Sequence, residues 1–382
     1  MSAVCYDVVI IGGGAAGLAA AITYQKREPH GRLLLAEAND ICGKKILATG
    51  NGRCNISNLS ADGYQGIKDF FGSVGVLFRI EDGGRAYPMS GQAASVTDAL
   101  MCAIQRLCVE VRYGARAVRL EKGMSGDAGE EGFTVWFEDG SSARAGSLLI
   151  ATGGKAGPQY GCRGEGYAFA RSLGHGVESI RPALVPLMYA DREKERLAGL
   201  KGVRIRSRAE LYVNGRRAGA SEGELQFTEY GLSGIMIFDL SLAMPKSILE
   251  GRPRTEVAID FAPGEEASSL ERLIRENEGL WLSGVAGRKL SELLVREAGE
   301  DAVRISGLAK NFVVQVGGTK GWKEAQATLG GVLASEVNGQ TGESLLCKGL
   351  FFAGEVLEPV FACGGFNLSH AWSTGIRAGW HL

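Results

Sequence analysis

YDVVIIGGGAAGLAAAITYQKR, residues Tyr6 to Arg27, changes character at its centre. The apolar run Asp7–Ile11 predicts a buried strand, the glycines a tight turn, and the small residues from about Ala15 a helix. RLLLAEA predicts a second strand ending at Glu37, twenty residues beyond Gly17. Gly12, Gly14 and Gly17 satisfy G-x-G-x-x-G between strand and helix, followed by an acid at the spacing of a dinucleotide-binding unit. Each position has a task. Gly12 makes the turn, Gly14 lets backbone approach a pyrophosphate, and Gly17 lets helix and strand pack closely. Ala15 and Ala16 open a helix whose N–H groups face the anion. Glu37, followed by Ala38, is placed to accept hydrogen bonds from ribose hydroxyls. This pattern does not separate NAD from FAD.

The bulk of the chain sets outer limits. Its 382 residues suggest two or three domains, or one large domain with an insert. Its 57 glycines are about twice the usual share of roughly 7% and follow no period, which fits many tight turns and close backbone approaches. Lys plus Arg number 42 against 43 Asp plus Glu, so no global field argues for nucleic acid or membrane. Eight cysteines show neither C-x-x-C nor metal-ligand spacing, and no metal is expected. No basic, cleavable leader and no spanning apolar run is present; a cytoplasmic protein with reduced thiols is expected.

The far end of the sequence favours FAD. GLFFAGEVLEPVFACGGFNLSHAWSTGIRAG contains a short apolar strand, then Gly354-Glu355, then Gly364-Gly365 and a helix predicted from Asn367 to Ala378. A carboxylate at such a strand end suits a ribityl hydroxyl. A helix N-terminus suits negative charge on a reduced flavin. LLIATGG, residues 148–154, predicts a further strand of the same sheet, reached through a meander of ARAVRLE, GFTVWFED and SSARAGSLLI. The arrangement resembles the glutathione-reductase-like class of FAD-binding folds.

A narrower likeness follows from CGKKILATGNGRCNISN, GELQFTEYGLSG, ATLGGVLASEVN and the far-end segment above. Together they resemble the BaiN/RdsA-like family of FAD-binding enzymes, also known as aminoacetone-oxidase-like or YhiN-type, over nearly the whole chain. The resemblance implies an α/β fold: a glutathione-reductase-like Rossmann domain (1–185 and 317–382), an inserted β-barrel-like domain (186–262 and 304–316) and a small helical domain (263–303). It implies that Lys44–Asn58 lies along the flavin. Gly50, Asn51 and Gly52 would permit close approach, Lys44 and Lys45 would meet phosphate, and Arg53, Cys54 and Asn55 would sit near the ring or its phosphates. Ala117, Val118, Ala151, Thr152, Gly153, Gly154, Gly354, Glu355, Gly364, Gly365, Phe366 and Asn367 complete the expected cofactor set. Thr328, Gly330, Gly331 and Val332 match the family's T-x-GGV turn. Many members carry histidine and proline where this chain has Glu229 and Ile235.

Pro186 onward is β-rich, with Asn214-Gly215 as a hairpin turn. Residues 265–299 are helical, with Leu270, Ile274, Leu290, Leu293 and Leu294 on apolar faces. Lys201–Arg217 is locally basic, and VRIRSRAEL places three arginines on one strand face. That face is either a phosphate- or RNA-contacting surface or, more commonly, a solvated one. Cys42 and Cys54 have eleven residues between them, unlike a redox-active pair. Cys54 is the one candidate catalytic acid; His175 and His370 are isolated. No second G-x-G-x-x-G follows a strand, so NADH or NADPH would act as a transient donor docking directly. The resemblance implies reduction of an activated C=C bond, in an unsaturated steroid or in rRNA uridine. The alternatives are an amine oxidase of the aminoacetone type and a non-catalytic flavoprotein binding a partner such as RNA.

Overall fold

In the computed structural model, which describes residues 4–125, 130–245, 253–277, 279 and 281–382, the chain divides into two compact units. The first comprises Met1–Arg181 with Ala327–Leu382, and the second Pro182–Gln326.

The first unit is organised by β1 (Val4–Ile11), whose last four residues are all buried, as a strand covered on both faces requires. α1 (Ala15–Arg27) follows, then β2 (Leu33–Ala36), parallel to β1 with Ile11 opposite Ala36. On the other side of β1 runs Ser142–Ile150, also parallel, with Ile11 opposite Ile150. Glu110–Arg112 adds outside β2, Arg112 opposite Ala36, and Leu350–Phe352 adds outside Ser142–Ile150, Phe352 opposite Ile150. Five parallel strands therefore end level. The expected meander is present: Ala117–Ser125, Glu130–Phe137 and Ser142–Ile150 pair antiparallel in sequence.

The last helix, Phe366–His381, packs against α1 through small residues. A Cβ on Gly375 would lie 2.3 Å from the Ala16 carbonyl oxygen, and one on Gly379 2.5 Å from that of Ala20. Only glycine allows this approach. The Lys44–Asn58 stretch folds into α2 (Lys44–Ala48), a 3-10 turn at Thr49–Gly52 and a two-residue strand, Ser57–Asn58. Its path needs left-handed backbone at Gly50 (φ 57°), Asn51 (φ 55°) and Cys54 (φ 56°), which explains the lack of a helical stripe.

The second unit is a closed barrel. Leu187–Tyr189, Gly231–Ser233, Arg216–Phe227, Arg204–Val213, Thr255–Asp260 and Phe312–Thr319 pair in that order, and the last closes on the first. Leu211, Leu225, Phe227, Val257, Ile259, Phe312 and Val314 are fully buried and form its core. Asn214 and Gly215 both take positive φ, 49° and 76°, the geometry of a two-residue type I′ hairpin. Helices Ala267–Glu276 and Arg288–Ala298 bury Leu270, Ile274, Leu290, Leu293 and Leu294, as their spacing predicts.

Candidate cofactor site

Because the five parallel strands end level, the residues that follow them share one rim: Gly12, Glu37, Tyr113, Ala151 and Ala353. Open parallel sheets bind ligands at this carboxyl edge. Gly12 has φ 107°, and a Cβ there would sit 2.4 Å from the Ala151 carbonyl oxygen. A Cβ on Gly17 would sit 1.8 Å from the Gly12 oxygen, so glycine is what seats α1 on β1. A Cβ on Gly14 would meet nothing within 4 Å. α1 starts beside this open space with no side-chain cap and no acid in its first turn. Its first N–H groups are left for an anion.

Glu37 is buried and held on both oxygens. Gly13 N–H donates to Oε2 at 2.8 Å; Asn39 donates to Oε1 from its backbone at 2.7 Å and its side chain at 2.6 Å. Ala38 is half-buried beside it. Ala117 is buried at the start of the meander, while Val118 is exposed. Ala151–Gly154 continue from Ile150. A Cβ on Gly154 would strike Thr328 Oγ1 at 2.3 Å and Glu355 Oε1 at 2.6 Å.

A second cluster joins segments some three hundred residues apart. Asn58 donates to the Gly364 carbonyl at 3.0 Å, Ser57 and Ser369 hydroxyls meet at 2.8 Å, and Trp372 Nε1 donates to the Ile56 carbonyl at 3.1 Å. The Lys44–Asn58 segment thus lies at the N-terminus of the last helix, which again lacks a side-chain cap and a first-turn acid. Gly365, φ 100°, could not carry a Cβ, which would fall 2.5 Å from the Ser57 oxygen. The Asn367 amide is bonded in both directions to the Phe361 backbone and fastens the preceding loop.

Lys45 and Glu355 form an ion pair, Nζ to Oε2 2.7 Å, each side chain about a quarter exposed. Burial alone would lower the Lys45 pKa, but the Glu355 carboxylate outweighs it and the lysine is held above its usual value. Thr328 N–H donates to the other Glu355 oxygen at 2.8 Å, and Thr328 Oγ1 accepts the N–H groups of Lys155 and Ala156. Lys44 pairs loosely with Asp40 at 3.7 Å. Arg53 is directed to Glu81, 2.5 Å, and lies over the Tyr87 ring. Cys54 is fully buried, and burial pushes its thiol up to about 12 despite a bond with Thr49, so it stays protonated at neutral pH.

Two residues at the site were passed over in the sequence. Tyr113 reaches the rim only through the register of Glu110–Arg112. His370 looks isolated along the chain. Its Nε2 is buried with no partner among the described residues, as is Asn55 Oδ1. Burial, helped by Arg377, pushes the His370 pKa down to about 4, so the ring is neutral. Open space above Gly14, two uncapped helix termini, a held carboxylate and unpaired buried acceptors suit the diphosphate, the ribose hydroxyls and the donors of FAD.

Comparison with known proteins agrees. Residues 59–381 match the HI0933-like protein Rossmann domain family, and residues 7–49 match an FAD binding domain. The chain is 34% identical to a 3-dehydro-bile acid delta(4,6)-reductase of Clostridium scindens, covering 97% of each. It is 27% identical to a ribosomal RNA dihydrouridine synthase of Escherichia coli, covering 97% of this chain and 96% of that one. A flavocytochrome c3 fumarate reductase shares the fold, with TM-score 0.53 at 16% identity over 98% of this chain and 78% of that one. The chain belongs to the HI0933-like Rossmann family and is an FAD-dependent oxidoreductase.

Proposed function

We propose that this protein reduces an activated C=C bond in a small organic substrate, with NADH or NADPH as transient electron donor. The observation that carries it is the 34% identity, over 97% of both chains, to a reductase of conjugated steroid double bonds. When bound, FAD supplies a centre that takes up and gives back hydride. The chain supplies placement and charge. The α1 N–H groups and Gly14 receive the diphosphate, and Glu37 holds the ribose. Glu355, steadied by Lys45 and Thr328, faces the polyol, and the N-terminus of the last helix offsets negative charge as the ring is reduced. We place Gly50–Asn55, Ala151–Gly154 and Gly364–Phe366 along the same cofactor.

The barrel favours a small substrate over RNA. Arg204, Arg206 and Arg208 line one exposed strand, but hairpin register brings acids against two of them, Arg204–Glu224 3.2 Å and Arg206–Glu222 3.5 Å, and Arg208 meets Glu210 of its own strand at 3.8 Å. Lys201 pairs with Glu229 at 2.6 Å. A surface that neutralises itself has few free cations with which to displace the counterions of a polyanion.

The test is anaerobic. Purified holoprotein is mixed with NADH or NADPH and the flavin absorbance followed, then a 3-oxo steroid with conjugated 4,6 double bonds is added. Bleaching by a nicotinamide and recolouring by the steroid are expected. No bleaching with either donor, with hydrogen peroxide formed from an amine under air, would replace the proposal with an oxidase. Loss of dihydrouridine from rRNA in cells lacking the gene, with no steroid turnover, would replace it with RNA modification.

A further inference from the structure

We propose that Tyr113 binds the adenine of FAD, its ring forming the face on which the base stacks; this rests on the FAD site described above. Arg112 lies opposite Ala36, so Tyr113 occupies on its strand the place that Glu37 occupies on β2. Backbone bonds frame it from both sides: Glu37 N–H to Arg112 O, 2.9 Å, Ala115 N–H to Glu37 O, 2.8 Å, and Gly114 N–H to Asn39 O, 3.0 Å. The Tyr113 hydroxyl lies beside the Cys42 thiol. That thiol lies beneath the glycine turn, 2.5 Å from where a Cβ on Gly13 would be. The tip of the ring therefore lies at the turn.

Tyr113 is nonetheless 45% exposed. Ile41, next in sequence to Cys42, is likewise 43% exposed. A large ring left open at a ligand-binding edge marks a surface that something covers. The chemistry of the site selects what. If Glu37 holds the ribose hydroxyls, the base, bonded to that same ribose, lies within one sugar ring of Glu37. A flat purine is the occupant, and a tyrosine ring is the side chain suited to it.

Apoprotein of the wild type, Tyr113→Ala and Tyr113→Phe is titrated calorimetrically with FAD and, directly or by competition, with ADP. Removing a base–aromatic stack weakens binding roughly ten- to a hundredfold. Tyr113→Ala should lose that factor for both ligands, Tyr113→Phe should stay close to wild type, and all three apoproteins should melt within a few degrees of one another. Unchanged affinity in Tyr113→Ala, or weakened FAD with unchanged ADP, overturns the assignment. Tyr113→Phe as weak as the alanine form also overturns it, since the hydroxyl and not the ring would then carry the effect. Wild-type apoprotein that takes up no FAD would instead remove the cofactor site itself.

Discussion

Gly14→Ala separates folding from cofactor binding at a single methyl group. Gly14 has φ −81° and ψ −166°, extended backbone that alanine adopts without strain. Its added Cβ would touch nothing within 4 Å. The remaining folding cost is that of alanine instead of glycine at a helix N-cap, about 1 kcal/mol. In a unit of this size that lowers Tm by about 2–4 °C. The cost to FAD is of another order. On the proposed function the diphosphate lies in the open space beside the uncapped start of α1, and a methyl there would hold it off the N–H groups. Losing two hydrogen bonds to a charged group, about 1.5–3 kcal/mol each, amounts to about 3–6 kcal/mol. Affinity should fall about 10²–10⁴-fold. The assay pairs thermal melting of apoprotein with FAD titration by fluorescence. A Gly14→Ala protein that purifies fully yellow with wild-type affinity would refute the reasoning. So would an apoprotein melting ten or more degrees lower, because the space above Gly14 would then not be open.

Gly17→Ala should do the reverse: helix propensity gains about 1 kcal/mol, but a Cβ 1.8 Å from the Gly12 oxygen must push α1 off β1. The net result should be lost soluble yield and a lower apoprotein Tm, and a Tm at or above wild type would contradict it. Glu355→Ala removes the acceptor for Lys45 and Thr328; with about 1.5–3 kcal/mol lost, most protein should purify without FAD, whereas full occupancy would show that Glu355 does not contact the cofactor. His370 shapes acid stability. Unfolded it takes a proton near 6.5 and folded only near 4, so the unfolded chain binds more protons between these values and stability falls as pH drops through that window. The loss approaches about 3 kcal/mol at 1.36 kcal/mol per pH unit, and urea unfolding should show His370→Gln losing less stability than wild type from pH 7 to pH 4; identical declines would exclude His370.

The glycine turn was legible because its spacing encodes its geometry: Gly12 and Gly17 each do a local job that no other residue does. The meander and the barrel hairpin were legible for the same reason, through alternation and the Asn214-Gly215 turn. What stayed hidden depends on register between distant strands. Tyr113 becomes a rim residue only when Arg112 aligns with Ala36. Lys201–Arg217 looks basic along the chain, yet the hairpin sets Glu222 and Glu224 against its arginines. Lys45 and Glu355 are 310 residues apart, and nothing local in either segment announces their pairing. The short helix Lys44–Ala48 was masked by the left-handed turns that follow it.

The glycine contacts between the first and last helices also order events on the ribosome. Ala16 and Ala20 emerge early, but the surface that fits against them, Gly375 and Gly379, is translated only after the whole barrel. Until then the nascent first helix has one face bare, and the uncapped terminus proposed to face the flavin ring does not yet exist. Yellow colour in a translation reaction should therefore trail synthesis of residues 366–381.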